Sequence, residues 1–421
     1  MTVALPKIKK GFNYDEALLL SNFAKQVYDI FLYDDGSIDD SELKDIYNTL
    51  NRNLGWQLVY TVRNDQTNVR GFILKKIGVH QYAVVFRGTI ITDRGLFEFT
   101  DVISDFSNEF ISYGSTTDAR IKVSKGFFEA FESVAVEIRL FFKTVLGRLT
   151  IKDFLQIKEL KPLRQFAAVQ ALADAGAIRL GTEFEEEVKK LIYDAIVDGE
   201  IGNNEEMEKI LEYKREKLLA LEALGEPIEV YVTGHSLGGT LAQLAALDLR
   251  RQFGSSLETG FTIKVYTIGA TKLGNKNFAD YYNQQIPKGF VYRIENLLDP
   301  VPQVPFSPPF PLSIFASGGL RLGNFYLANT VPVGEVHTVI GLGSQSVSLG
   351  FGAALEFGGG VPFPHSYDTY ITLLQEDRQR WSEILKPVET VLRPFFEDII
   401  REQFEQYIVQ SQAAANQAAK E

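Results

Sequence analysis

Val230-Tyr-Val-Thr-Gly-His-Ser-Leu-Gly-Gly-Thr-Leu-Ala-Gln-Leu-Ala-Ala-Leu-Asp-Leu249 is the stretch on which the architecture turns. Its first residues are an apolar, β-branched run without polar alternation, which reads as a strand buried on both faces. Its last residues, from Leu237 on, are rich in Ala and Leu at helical spacing. Between them stands Gly234-His-Ser-Leu-Gly238, a Gly-x-Ser-x-Gly pattern. The pattern alone is weak, but strand, tight turn and helix around it make a nucleophile elbow. The glycines permit the close approach and strained backbone that push the Ser236 hydroxyl out of the turn. The helix N-terminus behind it favours developing negative charge. The plain alternative is a Gly-rich strand-to-helix turn with a solvent-facing serine.

Working outward, the alternation continues. Strands are expected at 262–268 and 290–296, and helices at 237–251 and 275–284. Upstream, residues 14–32 carry Ala17, Leu18, Phe23, Val27 and Phe31 at helical spacing. Residues 56–62, 71–76 and 82–86 read as strands, and 127–146 as a helix. Such alternation predicts an α/β fold with a largely parallel central sheet flanked by helices. Residues 147–225 break the pattern. They have helical periodicity, no strand signal, and a charge concentration between Glu183 and Lys217, so they read as a helical insertion with a solvated face. Apolar residues Val388, Leu392, Phe395, Ile399 and Phe404, interrupted by Pro387 and Pro394, predict a kinked pair of C-terminal amphipathic helices.

The 421 residues carry a net charge of −11, which offers no field for phosphate backbones and argues against nucleic-acid partners. With no Cys, a nucleophile must be Ser, Thr, Lys or a carboxylate. No zinc motif or P-loop is present, so neither metal nor cofactor is expected. Residues 1–10 lack an apolar core behind their charges and do not read as a signal peptide. Two long uncharged stretches, 301–320 and 338–355, are broken by prolines and glycines and cannot satisfy a lipid-exposed helix. The expected location is cytoplasmic or peripheral to a membrane.

A serine hydroxyl needs an imidazole to take its proton and a carboxylate to orient that imidazole. Of the four histidines, His235 lies inside the elbow, where its side chain should point away from Ser236 and brace the turn. His80 precedes a strand on the far side of the sheet. His365, in the stiff Val361-Pro-Phe-Pro-His-Ser-Tyr367 loop opening a helix, is the first candidate base. His337, read as a loop histidine, is the second. For the acid, Asp299 follows a strand and precedes Pro300-Val-Pro302, which fixes the loop that presents it. Asp280 reads as mid-helix and Asp368 as a first-turn helix charge. The order Ser236, Asp299, His365 is that of α/β-hydrolases. Oxyanion donors are expected from the Leu237 N–H and from Thr89, which follows the strand ending at Phe86.

These residues together resemble the class 3, or fungal-type, lipase family of the α/β-hydrolases. The matching pieces are Val85-Phe-Arg-Gly-Thr89, Lys125-Gly-Phe127, Thr233-Gly-His-Ser-Leu-Gly-Gly239, Asp299-Pro-Val-Pro302, and Pro364-His365 with Tyr367 and Tyr370. They span about residues 13–145 and 227–375. The resemblance implies an α/β-hydrolase domain over 1–375, interrupted by the 147–225 insertion and followed by a 376–421 extension. It assigns Ser236, Asp299 and His365 as nucleophile, acid and base, and Thr89 with Leu237 as the oxyanion hole. It further implies a cofactor-free serine ester hydrolase cleaving fatty-acyl esters of glycerolipids at a lipid–water interface, with transient membrane-surface contact. In the family the stretch corresponding to 90–110 is a lid; here Phe97, Phe99, Val102, Ile103 and Phe106 would form its apolar underside. The departures are Gly269-Ala-Thr-Lys-Leu-Gly274 where a Pro-Arg pair is common, the long insertion, the apolar Gly-rich segment 307–360, and the C-terminal helices. A retired hydrolase fold serving as a scaffold, or a soluble short-chain or feruloyl-type esterase, are the competing readings. Two Asp-Gly turns, Asp35-Gly-Ser-Ile38 with Glu42 and Asp198-Gly-Glu-Ile201 with Glu205, echo a calcium loop. Apolar residues at ligand positions favour helix–turn–helix instead.

Overall fold

The computed structural model describes residues 8–30, 55–64, 66–89, 109–114, 116–145, 228–254, 261–299, 301–305, 320–322, 325–327, 330–339 and 365–380. The 147–225 insertion, nearly all of the 90–110 segment, both Asp-Gly turns and the C-terminal helices lie outside these residues. In chain order the elements are α1 (Tyr14–Ile30), β1 (Trp56–Asn64), β2 (Val69–Lys76), β3 (Gln81–Phe86), β4 (Phe110–Ser112), β5 (Lys122–Ser124) and α2 (Lys125–Val145). Then come β6 (Ile228–His235), α3 (Leu237–Phe253), β7 (Phe261–Ile268), β8 (Gly274–Asn275), α4 (Lys276–Gln285) and β9 (Val291–Asn296). The last are β10 (Leu320–Leu322), β11 (Phe325–Leu327), β12 (Thr330–Val331), β13 (Glu335–Val339) and α5 (Tyr367–Arg380).

Seven strands form the central sheet in the order β1-β2-β3-β6-β7-β9-β13. The β1–β2–β3 end is antiparallel, and β3, β6, β7, β9 and β13 run parallel. This is the α/β-hydrolase arrangement, with the Ser-bearing β6 in the middle. Every residue of β6 is buried, as a strand covered on both faces requires, and its one charged residue, Glu229, accepts from Ile8 N–H and Gln81 Nε2–H. Val230 and Val232 enter one core with α2, α3 and α4, while Tyr231 enters the other with α1 and α5. Strand β7 divides likewise, Ile263 and Val265 to the first core, Tyr266 and Ile268 to the second. The period of two thus places helices on both faces.

Within the described residues, the elements read from the sequence recur with boundaries shifted by a few residues. Strand β13 was not anticipated. It adds a parallel edge to β9, pairing His337 with Ile294, so His337 stands within a strand and not in a loop. Its five residues, Glu335-Val-His-Thr-Val339, are too few and too polar to show a strand period by themselves. The small sheet β12-β8-β5-β4 and the β10–β11 hairpin were also unread, for the same reason of length. No helix among the described residues is long and apolar enough to cross a membrane.

Buried charge holds the α1 face. Glu16 of α1 accepts from the hydroxyls of Tyr231 (2.9 Å) and Tyr266 (2.8 Å) and pairs with Lys264, all buried. Three donors on one carboxylate offset the cost of removing it from water. On the opposite face, Arg139 of α2 makes a bidentate pair with Asp248 of α3 at 2.7 and 2.8 Å.

Candidate active site

The C-terminal ends of β3, β6, β7 and β9 bring four loops together, the usual place for a site in an open α/β sheet. Ser236 lies where β6 turns into α3, and it adopts φ 59° and ψ −129°. Positive φ in a non-glycine residue is strained, and this is the conformation that aims a side chain out of an elbow. Two glycines make the turn possible. A Cβ on Gly234 would run into the backbone of Gly238, and one on Gly239 would stand 2.7 Å from Ala270 Cβ. The Ser236 N–H donates to Ile268 O at 2.9 Å, which ties the elbow to β7. Ser236 is 2% exposed, and its Oγ has no hydrogen-bond partner among the described residues. Such bonds are often loose in unliganded sites.

Asp299 and His365 meet. His365 Nδ1 lies 2.7 Å from Asp299 Oδ2, with both side chains buried. Since the carboxylate only accepts, Nδ1 carries the proton and Nε2 of a neutral ring is a base. The Asp299 carboxylate is fixed from two further directions, by Val301 N–H on Oδ1 (2.9 Å) and by the Tyr370 hydroxyl on Oδ2 (2.6 Å). Tyr370 accepts in turn from Asn296 N–H at 3.0 Å. Burial, then the neighbouring Asp299 charge, hold the Tyr370 phenol well above its ordinary range, so it stays a donor.

The bed of the site is the 269–273 loop. Gly269 has φ 56°, and a Cβ there would sit 3.0 Å from Tyr370 OH and 3.1 Å from His365 Nδ1. Arg293 of β9 reaches under the loop, giving Nη2–H to Ala270 O (2.8 Å) and Nη1–H to Thr271 O (3.2 Å), while its Nε pairs with Glu295 at 2.8 Å. Thr240 and Thr271 join hydroxyls at 2.7 Å, linking the loop to α3.

Of the residues singled out from the sequence, Ser236, Asp299 and His365 gather at this edge, and Leu237 is the first residue of α3, where N–H groups are unsatisfied by the helix. Thr89 is half-buried, directly after Gly88, whose hypothetical Cβ would strike Tyr28 OH, His235 O and Ser236 Cβ. His337 is elsewhere. Its Nε2 bonds Asp377 Oδ2 at 2.8 Å and its ring stacks on Phe12 at 3.9 Å. Asp280 pairs with Lys276, and Asp368 with Lys25, both on exposed helix turns. His235 is buried, with both ring nitrogens engaged, by Tyr28 and by the His365 carbonyl. Tyr28, Arg293 and the bond made by Tyr370 were not read from the sequence. Tyr370 follows His365 on the first turns of a helix, which was a signal; Tyr28 and Arg293 had none.

Comparison with known proteins places this geometry in context. The model of the family described as Lipase (class 3) matches residues 166–308. A secreted mono- and diacylglycerol lipase of Fusarium solani is 43% identical over 74 residues, 18% of this chain and 20% of that protein. A chloroplastic phospholipase A(1) of Arabidopsis thaliana is 36% identical over 80 residues, 19% of this chain and 17% of that protein. The match thus spans about a fifth of each curated relative. Among solved structures, lipase II from Rhizopus niveus is similar at 19% identity and TM-score 0.39, covering 73% of this chain and 77% of that one. The Rhizomucor miehei lipase propeptide complex is similar at 16% identity and TM-score 0.41, covering 79% and 70%. The resemblance to class 3 lipases is borne out over the matched residues.

Proposed function

From that lipase match as premise, we propose that the chain is a serine carboxylic-ester hydrolase acting on fatty-acyl esters of glycerolipids. The observation that carries the proposal is the buried Asp299–His365 pair at the same sheet edge as the strained Ser236 elbow. Ser236 Oγ attacks the ester carbonyl while its proton passes to His365 Nε2. Asp299 holds the ring in the required tautomer and stabilises the imidazolium. The oxyanion is received by the Leu237 N–H and by Thr89, through its N–H and hydroxyl. Collapse expels the alcohol, which takes the proton back from His365. Water, deprotonated by the same ring, then attacks the acyl-enzyme, Ser236 recovers its proton, and the fatty acid leaves.

A glycerolipid substrate draws on the family match and on the relatives, one a mono- and diacylglycerol lipase, one a phospholipase. The test is hydrolysis of p-nitrophenyl esters of graded chain length, below and above their solubility limits, by wild type and Ser236→Ala. Turnover that vanishes in the variant and rises at the interface supports a lipase. Turnover confined to soluble short-chain esters moves the assignment to a soluble esterase. The absence of Ser236-dependent turnover at every chain length sinks the ester-hydrolase reading.

A further inference from the structure

The elbow histidine and a tyrosine from the N-terminal helix form one hydrogen-bonded line through the site. The hydroxyl of Tyr28, in the last turn of α1, stands 3.0 Å from His235 Nδ1. On its other side, His235 Nε2 stands 2.6 Å from the main-chain carbonyl of His365. The same Tyr28 hydroxyl lies against Gly88, one residue before Thr89, so closely that a Cβ on Gly88 would strike it. All of these groups are buried.

The carbonyl end of the line dictates its direction. A backbone C=O can only accept. His235 Nε2–H therefore gives to His365 C=O, and Nδ1 of a neutral ring is left to accept from the Tyr28 O–H. Only one tautomer of a neutral His235 satisfies this order; an imidazolium would keep the bond to His365 but reverse the one to Tyr28. The bonds polarise one another in the same sense, so each is strengthened by the next. What the line joins is three separate loops: the one that carries Thr89, the elbow, and the one that carries His365. Ring contacts reinforce it, with His235 4.5 Å from the His365 ring and Tyr28 5.1 Å from Tyr367.

Resting on the ester-hydrolase reading above, we infer that Tyr28 and His235 are positioning residues that set the His365 main chain and the Gly88–Thr89 loop in register with Ser236. Neither reaches the reacting atoms in this role. They act by fixing where His365 Nε2 and the oxyanion donor stand when the transition state forms, where misplacement costs rate far more than substrate binding.

The experiment uses the full chain and has two readouts. In the first, Tyr28→Phe and His235→Phe are compared with wild type and with His235→Gln, whose amide N–H falls near the Nε2 position. Tyr28→Phe and His235→Phe are expected to lower kcat about 10- to 100-fold with KM changed less than about twofold, and His235→Gln to recover much of the loss. Wild-type kcat in Tyr28→Phe, or a fall explained by loss of folded protein in the melting curve, overturns the role. Equal losses in His235→Gln and His235→Phe overturn it too. In the second readout, histidine-labelled nitrogen NMR of the wild type is expected to show His235 neutral with its proton on Nε2, and Tyr28→Phe to shift the His365 signals. The opposite tautomer in the wild type overturns the line whether or not any ester is turned over. A wild type with the expected tautomer but no Ser236-dependent turnover fails the ester-hydrolase reading instead.

Discussion

Ser236 shows how a single residue combines strain and function. Its φ of 59° is unfavourable for a serine and persists only because Ile268 O, Gly88 and the start of α3 enclose it. On the proposed mechanism, Ser236→Ala lowers kcat by about 10⁴-fold or more, and Asp299→Asn by about 10⁴-fold, since the amide would favour the wrong His365 tautomer. Steady-state kinetics on a soluble ester measures both. Tyr370→Phe is a subtler case. It removes one of three donors to Asp299 and leaves Asn296 N–H without its acceptor. The expected loss is about tenfold in kcat with KM nearly unchanged, as for one net hydrogen bond of about 1.4 kcal/mol felt in the transition state. An unchanged kcat in Tyr370→Phe would show that Val301 N–H and His365 hold the carboxylate by themselves.

At the scale of elements, a buried ion pair joins segments distant in the chain, Glu16 on α1 with Lys264 on β7. A second buried pair, Arg293 with Glu295, lies within β9 and steadies the arginine that supports the 269–273 loop. Removing one partner of such a pair leaves an uncompensated buried charge, so Lys264→Met is expected to destabilise the fold by about 3 to 5 kcal/mol. Urea unfolding checks this, and the double variant Glu16→Leu with Lys264→Met should recover part of the loss. If the single variant unfolds at the wild-type midpoint, the pair contributes nothing net. Arg293 also gives a physical account of the Gly269-Ala-Thr-Lys-Leu-Gly274 loop. That loop lacks the Pro-Arg pair common in the family, and its carbonyls are fixed from below by an arginine of the next strand.

For the whole molecule, burial of titratable rings makes stability depend on pH. Burial, followed by the neighbouring His365, holds His235 well below the usual histidine value of 6.5. Above about pH 6.5 the ring is neutral in both states. As the pH falls below that value, the unfolded chain takes a proton that the folded one refuses, so stability declines toward acid. The urea midpoint is therefore expected to drop between about pH 7 and pH 5, less steeply in His235→Gln, where this group no longer titrates. At the alkaline end, burial raises at least seven tyrosines, Tyr28, Tyr82, Tyr231, Tyr266, Tyr282, Tyr292 and Tyr370, with Tyr292 pushed up to about 12. Below pH 10 they are neutral in both states, and above it only the unfolded chain loses their protons. Stability then falls as the pH rises. In an ultraviolet titration these seven are expected to ionise only as the chain unfolds, in a late and time-dependent phase. Smooth, reversible ionisation of all 18 tyrosines near pH 10 would contradict the buried assignment.

Much of this was legible in the chain alone, because it rests on local regularities. The apolar run before Gly234 and the Ala/Leu periodicity after Leu237 are nearest-neighbour properties, so strand, turn and helix could be read without knowing what they pack against. The alternation of such units predicts a parallel sheet, and the prolines around Asp299 and His365 mark where stiff loops leave it. The tertiary structure decided what depends on long-range contact. Strand β13 exists because β9 offers it an edge, and that strand takes His337 to Asp377 and Phe12. Tyr28 and His235 are separated by 207 residues, and Glu16 and Lys264 by 248. No spacing rule encodes such partners. Their identity follows from which backbone groups the fold removes from water, since each buried donor or acceptor must then find its complement.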